Sequence, residues 1–207
     1  MSRDALIVGI NRYQYLPDLK APALDAEVIA QQLEEDGEFR IKRLSEAIEG
    51  DEEKKPILAK TKPVSVLQLK QALKQLFLPE SKQAPETALF YFSGHGLHDE
   101  EGFDKGYLAA NDTNPSNLRF GLSLRWLQWL LSKSPIKQQM VWLDCCHSGT
   151  ILVNIEAANP SHGESRDRCF IASSREFGKS WEDLSSSYSV LTKVLLNGLN
   201  PKRFPRF

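Results

Sequence analysis

Two short clusters hold the residues able to do covalent chemistry, Ser93-Gly94-His95-Gly96 and Asp144-Cys145-Cys146-His147-Ser148-Gly149. A thiol attacks a carbonyl only as its thiolate, and a cysteine of pKa ~8.5 needs a histidine or another positive neighbour to ionise at neutral pH. His95 is the best placed of the four histidines. Each cluster follows an apolar run that reads as a buried strand, and parallel strands of one sheet can set their ends side by side. Gly94 and Gly96 carry no Cβ, so the backbone there can approach a substrate closely. Metal ligation by Cys145, Cys146 and His147 is disfavoured, because neighbouring positions on an extended strand point to opposite faces and no second Cys/His cluster is present. No metal site is expected. His98 and His162 fall in polar loops and are read as solvated.

The elements that must position these clusters follow from periodicity. Ala5 to Ile10 is a short continuous apolar run, as in a parallel strand covered on both faces. Leu24, Val28, Ile29 and Leu33 recur at helical spacing between Pro22 and Gly37, which predicts a helix over 22–36. Phe39 to Leu44 alternates apolar and basic residues and reads as a strand near the sheet edge. Glu49 to Lys62 is charged without apolar period and reads as a surface loop. Val66, Leu69, Leu73 and Leu76 predict a second helix, and Ala88 to Phe92 a buried strand running into Ser93. A polar loop with Asp99, Glu100, Glu101, Asp104 and Asp112 precedes a helix marked by Leu124, Leu127, Leu130 and Leu131. Met140 to Leu143 is the strand that stops at Asp144. A polar linker over about 154–167, a strand over Cys169 to Ser173 and a last helix over Ser189 to Leu199 complete the chain. Strands alternating with helices predict an α/β fold with a mostly parallel central sheet, which binds ligands beyond the carboxyl ends of its strands.

Composition narrows the class. With 41% hydrophobic residues in 207, the chain can bury a core as one domain, over 1–200, with 201–207 as a tail. Lys+Arg 26 against Asp+Glu 27 leaves no global field for nucleic acid or an anionic membrane. Trp126, Trp129, Trp142 and Trp181 are read as core or cleft-lining residues, not as a base-stacking platform. No apolar run nears the ~18 residues of a membrane span, and the start has no signal-peptide pattern. Cys145, Cys146 and Cys169 make a poor disulfide framework, so a reducing, cytoplasmic location is expected.

Tyr91-Phe92-Ser93-Gly94-His95-Gly96 and Asp144-Cys145-Cys146-His147-Ser148-Gly149 resemble the histidine and cysteine motifs of the caspase-fold cysteine peptidases, closest to metacaspases and their bacterial relatives. The 51-residue separation of His95 and Cys146 agrees with the caspase spacing of about 50. The resemblance runs from the first strand and Leu24-Asp25-Ala26 to Ala172-Ser173-Ser174 and the last helix. Asp144 stands where true caspases have the glutamine of Gln-Ala-Cys, so an ordinary animal caspase is not expected.

The resemblance implies a caspase-like three-layer fold and a cysteine endopeptidase. It makes Cys146, two residues after the aspartate, the nucleophile and His95 the acid and base. It implies an oxyanion hole of the Gly96 and Cys146 backbone N–H groups. It also implies that Asp25, Ser93 and Asp144 contact a protein or peptide substrate, cut after Arg or Lys because the metacaspase pocket is lined by aspartates. Arg166 and Arg168, in the linker between the large and small parts, are then expected self-cleavage sites. No cofactor is required. Calcium, which activates many metacaspases, is not expected to be needed, since Ile151, Leu152, Val153 and Asn154 occupy the stretch where an acidic ligand stands. The stretch from Asn200 to Phe207 has no final strand, so the chain reads as a truncated product or one domain of a longer protein. The same residues also admit an inactive caspase-fold interaction module, or a thiol that senses oxidants through Cys145 beside Cys146. The intact His95 and Cys146 pair argues for the peptidase.

Overall fold

A computed structural model describes residues 2–49, 55–80, 84–99, 106–146, 166–173 and 188–201. Five parallel strands form its central sheet in the order β10-β9-β5-β1-β2, being β1 (Arg3–Gly9), β2 (Arg40–Leu44), β5 (Thr87–Ser93), β9 (Gln138–Asp144) and β10 (Asp167–Ala172). Successive side chains on a strand face opposite sides, so each strand feeds two cores. Leu6, Val8, Phe90, Phe92, Val141 and Leu143 pack with α2 (Val66–Phe77) and α3 (Leu124–Lys133). Ala5, Ile7, Leu89, Tyr91 and Trp142 pack with α1 (Pro22–Glu35) and α4 (Val190–Leu199). That two-sided burial explains why β5 and β9 are runs of apolar residues rather than alternating ones. The architecture is the expected α/β three-layer fold.

The strand register sets the height of everything at the sheet's carboxyl edge. Gly9 lies opposite Ser93, and Ser93 opposite Asp144. His95 and Cys146 each stand two residues past this row, so their 51-residue separation in sequence is the register offset of β5 against β9. Gly9 matters for a second reason. A Cβ there would lie 2.3 Å from the Pro22 carbonyl oxygen, so only glycine lets the start of α1 close onto the end of β1.

Two segments differ from the sequence-based expectation. The charged stretch read as a loop carries β4 (Lys55–Leu58), which pairs antiparallel with β3 (Glu46–Glu49) at its start. Strands this short have no readable period. The hairpin is held by docking: Leu58 is buried, and its N–H donates to Glu27 Oε2 at 2.8 Å. Glu27 and Glu34 of α1 also receive the buried Arg43 guanidinium of β2, at 3.1 and 2.7 Å. The polar loop after His95 likewise holds a three-stranded sheet of β6 (Gly96–His98), β7 (Gly106–Leu108) and β8 (Leu122–Ser123). His98 is therefore half-buried on β6 rather than solvated. The first helix ends as expected near Gly37, but the left-handed residue is Glu38, at φ 56°.

Candidate active site

A cleft of ≈ 170 Å³ opens at the carboxyl edge of the sheet and gathers Asp25, Ser93, His95, Asp144 and Cys146. The cysteines separate as neighbours on an extended segment must. Cys145 is fully buried in the core, and half-buried Cys146 lines the cleft. Gly94 ties the two strand ends together by donating its N–H to the Asp144 carbonyl at 3.3 Å.

The His95 imidazole is oriented by the segment between β1 and α1. Its Nε2 lies 2.8 Å from the Pro17 carbonyl oxygen. A carbonyl can only accept, so Nε2 carries the proton of that bond and Nδ1 is the nitrogen with the lone pair in the neutral ring. The His95 backbone is held on both sides: its N–H donates to the Tyr13 hydroxyl at 3.0 Å, and its carbonyl accepts from the Ala109 N–H at 2.9 Å. Gly96 then passes directly against the Cys146 segment, where a Cβ would fall 1.7 Å from the Cys146 carbonyl oxygen.

The opposite wall is acidic and dry. Asp25, in the first turn of α1, is 1% exposed and Asp144 6%. Both are joined to Ser189, the N-cap of α4, whose N–H donates to Asp25 Oδ1 at 3.0 Å and whose hydroxyl donates to Asp144 Oδ2. Thr192 adds a hydroxyl to Asp144 Oδ2 at 3.3 Å and meets the Tyr91 hydroxyl at 2.8 Å. Burial pushes the Asp144 carboxyl above the ordinary aspartate range, and hydrogen bonds from Ser189, Ser173 and Thr192 oppose that shift.

The other sequence-derived candidates are placed as follows. Arg168 lies within β10, not in the linker before it, and its guanidinium bonds Gln139 Oε1 at 3.0 Å and the Leu131 carbonyl at 3.3 Å. Cleavage after it would cut a paired sheet strand, whereas proteolysis favours exposed loop tips. Arg166 precedes β10 and donates to the Ser132 carbonyl at 3.1 Å. Trp142 is core and Trp126 packs partly against the core, but Trp129 is 49% exposed, and none lines the cleft. His147, Ser148, Gly149, Ile151 to Asn154, His162, Trp181, Glu100, Glu101, Asp104 and the tail from 202 lie outside the described residues, as does the linker over 154–165. Tyr13, Pro17, Ser189 and Thr192 were not singled out by sequence. Ser189 had a usable signal, a serine immediately before an apolar helical run; Tyr13 and Pro17 sit in an aperiodic segment and had none.

Among the described residues, no group of three His, Cys, Asp or Glu side chains is gathered as for a metal ion, and no helix is long and apolar enough to cross a membrane. The parallel sheet thus presents a histidine and a cysteine in one cleft at its carboxyl edge. The family model described as the caspase domain of peptidase family C14 matches residues 2–203, and the chain belongs to that family. No curated protein matches it.

Proposed function

We propose that the chain is a cysteine endopeptidase cutting after basic residues, with Cys146 and His95 as its dyad. The observation that carries this reading is the common register: His95 and Cys146 stand equally far past paired strand ends and line one cleft with two buried carboxylates. His95 Nδ1 takes the thiol proton, and the thiolate attacks the scissile carbonyl to give a tetrahedral oxyanion. Backbone N–H groups of Gly96 and Cys146 receive that charge. The imidazolium returns its proton to the leaving amine as the thioester forms, and the ring then activates water for deacylation. Throughout, the Pro17 carbonyl supports the cationic ring at Nε2.

Specificity for Arg or Lys rests on Asp25, Asp144 and Ser93. Two carboxylates buried on one wall repel each other, and a substrate cation relieves both; a guanidinium, able to bridge them with directed hydrogen bonds, is favoured over an ammonium. This gives the chain a metacaspase-like rather than caspase-like preference. Self-cleavage is proposed at Arg166. A reducing, cytoplasmic setting is proposed on the number and spacing of the three cysteines. No cofactor or calcium is needed for the chemistry proposed. The test compares fluorogenic peptides ending in Arg, Lys or Asp, with Asp144→Asn as control. Arg should lead and the variant should lose that preference. Cleavage after Asp, or an unchanged Arg preference in the variant, defeats the pocket assignment, and absence of labelling of Cys146 by an Arg-bearing peptidyl electrophile defeats the peptidase reading.

A further inference from the structure

Tyr13 takes no part in the bond-making steps above, yet it touches the histidine in two independent ways. Its hydroxyl accepts the His95 N–H at 3.0 Å and donates to the Ile10 carbonyl at 2.9 Å. Its ring stands 4.7 Å from the imidazole, tilted by 55°. Gly94 makes room for this approach, since a Cβ there would fall 2.7 Å from the Tyr13 hydroxyl oxygen. The tyrosine is itself pinned: its own N–H donates to Asp18 Oδ1 at 3.1 Å, and Asp18 pairs with Arg12 at 2.5 Å.

The geometry points to Tyr13 as the residue that positions His95 for proton transfer with Cys146, the hydroxyl fixing the height of the histidine backbone and the ring fixing the plane of the imidazole. This rests on the dyad reading and deepens it. Pro17, four residues on, grips Nε2 from the other side, so one loop determines both the tautomer and the placement of the ring. Burial holds the Tyr13 phenol far above its ordinary range. The hydroxyl therefore remains an O–H able to donate to Ile10 and accept from His95 at any pH where the enzyme would be assayed.

Removing the hydroxyl leaves the His95 N–H and the Ile10 carbonyl without this bridge, while the ring still fills its place. A shift of the imidazole by about 1 Å costs a rate on the order of 100-fold. For Tyr13→Phe we expect kcat, normalised to active sites titrated with a peptidyl electrophile, to fall about 10- to 100-fold with KM little changed. A merely structural role would lower the titratable fraction and leave kcat per site intact. The second readout is the rate of iodoacetamide alkylation at Cys146 at neutral pH, followed on its own peptide by mass spectrometry because Cys169 is exposed. A wild-type thiol paired with His95 should react faster than a free cysteine, and Tyr13→Phe should slow it toward the free-cysteine rate. Asp18→Asn, a change at the surface that loosens the Tyr13 main chain, should move both readouts in the same direction by less, and it carries the decision should Tyr13→Phe fail to fold. A fast wild-type alkylation that neither variant slows overturns the role of Tyr13 alone. A wild-type Cys146 that alkylates like a free cysteine overturns the dyad, and this inference with it.

Discussion

Replacing Gly96 by alanine tests the tightest feature of the site. The added Cβ would fall 1.7 Å from the Cys146 carbonyl oxygen, 2.8 Å from its carbonyl carbon and 3.2 Å from the Cys145 sulfur. The two nearest atoms are backbone, so no side-chain rotation relieves the clash. Reaching even 3.0 Å requires a displacement of about 1.3 Å. Gly96 opens β6 opposite Leu108, and the His95 carbonyl is tied to Ala109. The displacement therefore passes either to Cys146 or to His95, one residue away. Misplacement on the order of 1 Å costs about 100-fold in rate, or about 3 kcal/mol of transition-state stabilisation. Overpacking costs about 1–3 kcal/mol of stability, which a domain of this size survives. Gly198→Ala is the matched control: in α4 the same methyl meets nothing within 4 Å, and the helix gains up to about 1 kcal/mol. The assay is kcat per titrated active site alongside thermal unfolding. A folded Gly96→Ala protein turning over at close to the wild-type rate would refute the argument, because the clash it rests on would then be absent from the active enzyme.

The remaining expectations follow from the same site. Cys146→Ala should abolish turnover, whereas Cys145→Ser should keep kcat per active site and lose about 1–3 kcal/mol of stability by placing a hydroxyl in a fully buried apolar position; equal loss of turnover from both, read by active-site titration and urea unfolding, would mean the wrong nucleophile. Asp144 has its folded pKa raised by burial, so in the window from the ordinary aspartate pKa up to the folded one the native state binds more protons than the unfolded chain, and its contribution to stability falls as pH rises. Asp144→Asn should therefore unfold at a higher temperature than wild type near neutrality, with the gap shrinking toward acid pH; a gap that widens on acidification would contradict the stated burial. Turnover should persist in the presence of a chelator, and a strict calcium requirement in an activity titration would overturn that expectation.

The layers were legible because two-sided burial writes itself into sequence: Ala88 to Phe92 and Met140 to Leu143 can be nothing but covered strands once helices flank them. The meeting of His95 and Cys146 in one cleft was legible for a related reason. Parallel strands transmit position rigidly, so the spacing of His95 and Cys146 encoded a register. What escaped notice lies where structure depends on tertiary contact alone. The β3–β4 hairpin exists because Leu58 and Glu27 dock, and four-residue strands carry no period to announce it. Tyr13 and Pro17 act through a phenol oxygen and a backbone carbonyl whose target is about 80 residues away. Asp25 and Asp144 could be paired only through family resemblance, and their common partner Ser189 belongs to a third segment.

That third segment bears on how the site can be assembled. Asp25 stands in the first turn of α1, Asp144 at the end of β9, and both are bonded to the N-cap of α4. Helix N-termini present unpaired N–H groups and favour negative charge, so α1 and α4 together offset part of the cost of drying two carboxylates. Without α4 the acids would keep their mutual repulsion but lose the Ser189 and Thr192 donors. The acidic wall thus depends on α4 being docked. His95, by contrast, is held by the Tyr13 hydroxyl, the Pro17 carbonyl and Ala109, while Cys146 follows β9, whose last residue Ser189 also grips. On the proposed reading, disturbing α4 should cost substrate preference before it costs thiol reactivity, because His95 keeps its own supports, and disturbing the loop after β1 should do the reverse.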